Sequence, residues 1–178
     1  MVEHVLFLRH FETQLNAEKR ISGRSLSTPI LESREIICDF HVDSVLCSPA
    51  VRCQQTLEVF LQNQSTEDIH YMTELTERHM GIMEGCLRSD MVKKYPALFD
   101  GGKFRLFETP PGGESFEAFY KRVQTCWEWC QATMDGTILI CSHNQFLKML
   151  FFIIHDLPIS DVRWKNINFP TGIIEKVL

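Results

Sequence analysis

Two histidines each close an apolar run: His10 follows Val5-Leu6-Phe7-Leu8-Arg9, and His143 follows Ile138-Leu139-Ile140-Cys141-Ser142. In an open α/β sheet, side chains at the carboxyl ends of neighbouring strands converge on one crevice, so residues far apart in sequence can build one site. Adding Arg9, Arg52 and Glu77 turns the pair into a phosphate pocket with a nucleophile. Arginine presents a planar fork that matches phosphate oxygens two at a time, and it stays charged in any protein environment. Imidazole attacks phosphorus only when the attacking nitrogen is neutral, and cations around His10 favour that state. The other ring nitrogen needs a fixed acceptor to set the tautomer, for which a backbone carbonyl is expected.

The elements that must position these groups are legible in the apolar pattern. Strands are expected at 4–9, 43–48, 69–74, 137–142 and 172–178. The first, second and fourth are nearly continuous in apolar residues, as strands covered on both faces are. A helix is expected to open at Ser48-Pro49, with Ser48 as N-cap and proline at the first helical position, burying Cys53, Leu57, Phe60 and Leu61. The longest helix runs from Ser115, with Phe116, Phe119, Tyr120, Val123, Trp127 and Cys130 forming one core stripe. A third, from Gln145 to Asp156, is apolar nearly all round and ends before Pro158. Alternating strands and helices predict an α/β fold, a three-layer α/β/α sandwich on a mostly parallel sheet. Residues 100–114, with Gly101-Gly102, Pro110-Pro111 and Gly112-Gly113, read as a loop, either a lid or a plain surface excursion.

A length of 178 residues fits one domain, 1–178, with a real core. The net charge of −5 offers no broad basic field for nucleic acid or an anionic membrane, so any anion site must be local. The longest apolar run, Met149 to Ile154, is far too short to span a bilayer. Seven cysteines form no CxxC pair, and neither they nor the start of the chain suggest secretion, so a cytoplasmic protein is expected. No HxxxH or Cys/His spacing supports a zinc site from His10, His143 and Glu77. His4, His41, His70 and His155 lack partners in sequence and are taken as structural or surface residues.

Four elements together resemble the histidine phosphatase superfamily, also called phosphoglycerate mutase-like. Arg9-His10-Phe11-Glu12-Thr13, followed by Asn16, is similar to the family's Arg-His-Gly-Glu-Thr signature. Ser48-Pro49-Ala50-Val51-Arg52-Cys53-Gln54-Gln55-Thr56 resembles its Ser-Pro-x-x-Arg-x-x-Gln-Thr element. Leu75-Thr76-Glu77-Arg78-His79-Met80-Gly81, ending in Glu84-Gly85, resembles its acid segment, and Ser142-His143 is the fourth element. Gly112-Gly113-Glu114-Ser115 also resembles the turn that opens the family's long helix. The resemblance implies His10 as nucleophile, Arg9, Arg52 and His143 around the phosphate, and Glu77 as general acid for the leaving alkoxide. It further implies substrate contacts from Asn16, Gly23, Arg78 and Asn144. No metal and no cofactor are implied; the partner is a small-molecule phosphate ester, and a homodimer is left open.

Two positions depart from the family. Phe11 stands where glycine is usual, so it must either take an ordinary backbone conformation or wall the pocket; Asn144 stands where glycine is frequent. A phosphatase working through phosphohistidine is the favoured reading. A mutase is the rival: Glu77-Arg78-His79 has the mutase form, but Met80 replaces its tyrosine, and only Lys103 and Arg105 stand where mutases carry a long arginine-bearing insertion. A phosphate-binding regulator that has lost turnover is the third.

Overall fold

Alternate residues of the first strand, β1 (Val2–Arg9), point to opposite faces, and both sets are apolar: Val5 and Phe7 one way, Leu6 and Leu8 the other. Such a strand must be covered twice. The computed structural model, which describes residues 1–178, supplies both covers. After β1 come a single helical turn, α1 (Gln14–Ala17), then β2 (Ser44–Cys47), α2 (Val51–Leu61), β3 (Asp68–Tyr71) and α3 (Arg88–Lys94). The short strands β4 (Phe99–Asp100) and β5 (Lys103–Phe104) precede α4 (Phe116–Thr133), β6 (Gly136–Ser142), α5 (Asn144–Ile154), α6 (Asp161–Asn166) and β7 (Ile174–Lys176).

Five strands form one sheet in the order β3-β2-β6-β1-β7, all parallel except β7, which runs against β1. On one face Val5, Phe7, Ile138 and Ile140 pack against Phe119, Val123 and Trp127 of α4 and Phe146 and Leu150 of α5. On the other, Leu6, Leu8, Leu139 and Cys141 pack against Cys53, Leu57 and Phe60 of α2. Each fully buried Leu or Phe contributes roughly 1.5–3 kcal/mol relative to exposure. This is the expected α/β/α arrangement. No helix is long and apolar enough to cross a membrane.

The register is what positions the site. Arg9 lies opposite Ser142, and Cys47 opposite Cys141, so β1, β6 and β2 end at one level. The next residues on the three strands are His10, His143 and Ser48.

The structure corrects four expectations. Helix α2 begins at Val51 with Ala50 as its cap residue, not at Ser48-Pro49, because the Ser48 hydroxyl is engaged with His143. Helix α5 starts at Asn144 and stops at Ile154, ahead of Asp156 in a left-handed conformation (φ 48°). The third strand ends at Tyr71, and Thr73–Leu75 winds into a 3₁₀ turn. Residues 100–114 are not loop throughout: Gly101 and Gly102, at φ 56° and 75°, make the two-residue turn of the β4–β5 hairpin, which glycine alone enters without strain.

Candidate active site

His10 is buried directly after β1. Its Nδ1 lies 2.6 Å from the Phe11 carbonyl oxygen, which can only accept, so Nδ1 carries the proton and Nε2 keeps its lone pair. Burial, followed by the charge of Arg52, pushes the imidazole down to about 3. The ring is therefore neutral across the physiological range, with its Nε2 lone pair free. The Phe11 amide in turn donates to Thr56 Oγ1 at 3.0 Å, and Thr56 Oγ1 donates to the Arg52 carbonyl, so the strand end is tied to the first turns of α2.

His143, the residue before α5, faces His10 edge to face with ring centroids 5.2 Å apart. Arg52 Nη2 donates to its Nδ1 at 3.0 Å, which leaves the proton on Nε2, 2.8 Å from Ser48 Oγ. Burial first, then Arg52, hold this ring well below the ordinary histidine value. Arg52 also donates to the carbonyls of Gly23, at 3.1 Å, and Ser25. Arg9 is held by the Phe169 carbonyl at 3.0 Å and Asn168 Oδ1 at 3.4 Å. Yet Nε of both arginines is buried without a partner. Both line a cavity of about 480 Å³ together with His10, Glu77 and His143. Two guanidiniums on one cavity wall with His10 and His143 make a site suited to an oxyanion.

Glu77 enters this cavity from the segment after the 3₁₀ turn, held there by Ser142 Oγ, which donates to the Leu75 carbonyl at 2.7 Å. Its Oε1 accepts from the amides of Arg78 (3.0 Å) and Phe146 (3.1 Å), and Oε2 from that of Gln145 (3.1 Å). The side chain thus caps α5 from outside, where His143 makes no cap of its own. Burial dominates and raises the Glu77 carboxyl, against the three amides and Arg52. Oε2, with one bond fewer, is the oxygen that has room for a proton.

Of the remaining expected contacts, Asn16, Gly23 and Asn144 line the cavity. Asn16 also closes the cap of α1 with Thr13, and its Nδ2 reaches Ser22. Gly23 (φ 49°) has no space for a side chain, since a Cβ would fall 2.2 Å from Glu84 Oε1. Asn144 is an ordinary helical residue, so its replacement of glycine needs no left-handed backbone.

Arg78 is a correction. It does not line the cavity: its guanidinium is fully buried, donates to the carbonyls of Leu106 (2.8 Å), Glu108 (2.7 Å) and Glu114 (3.2 Å), and lies between the rings of Phe104 and Phe119. It pins the 106–114 segment to the acid segment. Phe11 likewise points away from the cavity into the core beside α2, and Gly172 makes room for it: a Cβ there would fall 1.9 Å from Phe11 Cε1. The alternative that Phe11 walls the pocket is not what the fold adopts.

Sequence reasoning did not anticipate Ser48 as the partner of His143, nor Lys148 and Trp164 as cavity walls; Lys103 and Phe104, from the segment expected as a lid or a surface excursion, also line the cavity. Lys148 carried a signal, being the one charged residue within an apolar helix. No group of three or more His, Cys, Asp or Glu side chains is placed to hold a metal ion.

Comparison with known proteins extends this picture. The profile of the histidine phosphatase superfamily (branch 1) matches residues 5–175. The chain is 25% identical to a 2,3-bisphosphoglycerate-dependent phosphoglycerate mutase of Methanosarcina mazei, covering 95% of this chain and 87% of that one. It is 28% identical to a broad-specificity phosphatase of Saccharomyces cerevisiae, over 82% and 67% of the two chains. Among solved structures, the α-ribazole phosphatase of Shigella flexneri superposes with a TM-score of 0.75 at 23% identity, over 98% of this chain and 89% of that one. A mycobacterial glucosyl-3-phosphoglycerate phosphatase solved with VO3 gives 0.77 at 18% identity, over 97% and 91%. At these identities the two structures bear on the fold alone.

Proposed function

Because the chain belongs to the histidine phosphatase superfamily (branch 1), we propose that it is a metal-independent phosphomonoesterase that works through a phosphohistidine at His10. The observation that carries this reading is the neutral His10 with a free Nε2, set in a cavity lined by Arg9, Arg52 and His143. A phosphomonoester enters with its oxygens on the two arginines. His10 Nε2 attacks phosphorus, the ester P–O bond breaks, and the leaving oxygen takes the proton from Glu77 Oε2. The imidazole becomes cationic, and its Nδ1–H stays on the Phe11 carbonyl. Water then attacks phosphorus and gives its proton to Glu77, while the P–N pair returns to Nε2. The product is inorganic phosphate, and Glu77 is again protonated.

Hydrolysis rather than phosphoryl return to a second substrate is supported by the segment between the acid segment and α4, where α3 and the β4–β5 hairpin are followed only by a short tail and no long arginine-bearing insertion. Metal independence is supported by the engagement of both His143 nitrogens and of His10 Nδ1 with protein groups. The unpaired cysteines support residence in the cytoplasm.

Rapid quench during turnover tests the proposal. An acid-labile, base-stable phosphoenzyme should appear on the peptide containing residue 10, decay within a turnover, and be absent from the His10→Ala protein. EDTA should leave the rate nearly unchanged and vanadate should inhibit, since transition-state mimics bind more tightly than substrates. Full hydrolysis by His10→Ala, or activity lost to EDTA and restored by zinc or magnesium, would overturn it.

A further inference from the structure

Helix α4 grips the acid segment through an ion pair. Glu114, just before the Ser115 cap, and Arg122, in the second turn, meet fork to fork: Nε donates to Oε1 at 2.9 Å and Nη2 to Oε2 at 2.8 Å. Their side chains are only 9% and 16% exposed, so this is not one of the solvated surface pairs that contribute little. Burial raises the Glu114 carboxyl, but the bonds and charge of Arg122 outweigh it and hold the group below the usual carboxylate value, so the pair stays ionised.

Beyond each other, both partners bond to the residues that flank Glu77. The remaining limb of the Arg122 fork, Nη1, donates to the Glu74 carbonyl at 2.6 Å and to the Thr76 carbonyl at 2.9 Å. Glu114 Oε2 accepts from the His79 amide at 3.2 Å, with Arg24 Nη2 a further donor at 3.3 Å, and the Glu114 amide donates to the His79 carbonyl at 2.8 Å. The chain is thus fixed one residue before Glu77 and two residues after it. The Arg122 guanidinium also lies 6.0 Å from the centroid of the Phe146 ring, and the amide of Phe146 donates to Glu77 Oε1. A proton donor works only from the right place, since a misplacement of about 1 Å can cost on the order of 10²-fold in rate. The bonds of 3.0 to 3.1 Å that hold the Glu77 carboxyl would not survive such a shift.

We propose that Arg122, with Glu114 as its ionic partner, is a positioning residue for the general acid: the pair fixes residues 74–79 against α4 so that the Glu77 carboxyl is presented to the leaving oxygen. The proposal rests on the phosphomonoesterase reading and adds to it a residue that touches neither the substrate nor Glu77 itself.

Single-turnover phosphoenzyme formation tests this, with the leaving group as the probe. Arg122→Lys keeps the charge but loses the fork. It should slow an alkyl phosphate by at least about 10-fold and p-nitrophenyl phosphate by less than about 3-fold, the pattern of a misplaced proton donor. In the Glu77→Gln background, where no acid is left to position, the same substitution should change the alkyl rate by less than about 3-fold. Equal slowing of the two esters, or a loss that persists undiminished without Glu77, would reduce Arg122 to general support of the fold and overturn the proposal. A readout without turnover stands beside it: the amide proton resonances of Gln145 and Phe146 should move in Arg122→Lys in the same direction as in Glu77→Gln, and unmoved resonances would overturn it too. Should the wild type cleave neither ester, the phosphomonoesterase reading falls and these resonances decide the positioning alone. Should the Arg122→Lys protein not fold, Glu114→Gln, which breaks the ion pair while preserving shape, carries the same expectations.

Discussion

The neutrality of His10 can be measured as stability. An unfolded histidine titrates near 6.5, whereas burial and then Arg52 hold His10 at about 3 in the folded protein. Above pH 6.5 neither state binds the proton. Below it the unfolded chain does and the native protein does not, so the unfolding free energy falls with pH at about 1.36 kcal/mol per unit. Between pH 6.5 and pH 5 this amounts to about 2 kcal/mol from His10 alone. His143, also lowered, adds a loss of the same sign. Glu77, raised by burial, acts in the opposite direction: the native state holds a proton that the unfolded chain releases above about pH 4.5, so its stabilising share fades as pH rises. Urea unfolding of the wild type and of His10→Gln, at constant ionic strength from pH 7 to pH 5, isolates the His10 share. The wild-type advantage over the variant should shrink by about 2 kcal/mol across that range. A constant difference would mean that His10 titrates normally, is largely protonated at pH 5, and lacks the free lone pair on which the nucleophile assignment depends.

Three further outcomes follow from the site. Glu77→Gln should slow phosphoenzyme formation from an alkyl phosphate by roughly 10²-fold and from p-nitrophenyl phosphate much less, because nitrophenolate leaves without full protonation; equal slowing in single-turnover measurements would remove Glu77 from the acid role. Gly172→Ala should cost about 3 kcal/mol, from the clash with Phe11 and the φ of 66°, and only about 1 kcal/mol in a Phe11→Ala background; additivity of the two in chemical denaturation would show that the ring is not the obstacle. Arg78→Lys, which cannot reproduce a fork on three carbonyls, should lower stability by about 3 kcal/mol and leave KM for p-nitrophenyl phosphate within a few-fold; a raised KM with intact stability would return Arg78 to the substrate.

The positions of His10, Arg9, His143 and Arg52 were legible because each abuts a feature that hydrophobic patterning defines, the end of a twice-covered strand or the first turn of a helix after one, while their roles were expected only from the motifs that resemble the family. Parallel register then brings them together without further instruction. Arg78 was not legible. In the Glu77-Arg78-His79 run nothing local says which side chain folds inward, and the carbonyls that decide it belong to residues 106, 108 and 114. Phe11 was half legible: an ordinary backbone was one of the two options, but the space for its ring depends on Gly172, at the far end of the chain. Lys148 was visible as a lone charge in an apolar helix, and the burial of that helix was read while its exception was not.

Glu77 joins the fold to the chemistry. As the external cap of α5 it accepts three amides, which favour the carboxylate; as a group sealed beneath the cavity it pays for charge in lost hydration, which favours the acid. Either influence alone would fix its protonation. Opposed, with burial the larger, they leave the carboxyl raised, and in the proposed mechanism a phosphate dianion beside Oε2 would add like-charge repulsion that favours the acid further. In that mechanism, once the alkoxide had left with the proton, the amides of Gln145 and Phe146 would steady the carboxylate until water arrives. Glutamine preserves the shape of the cap but replaces the acceptor Oε2, or its proton, with an amide that can do neither task, so its effect on stability and its effect on alkoxide expulsion are separable.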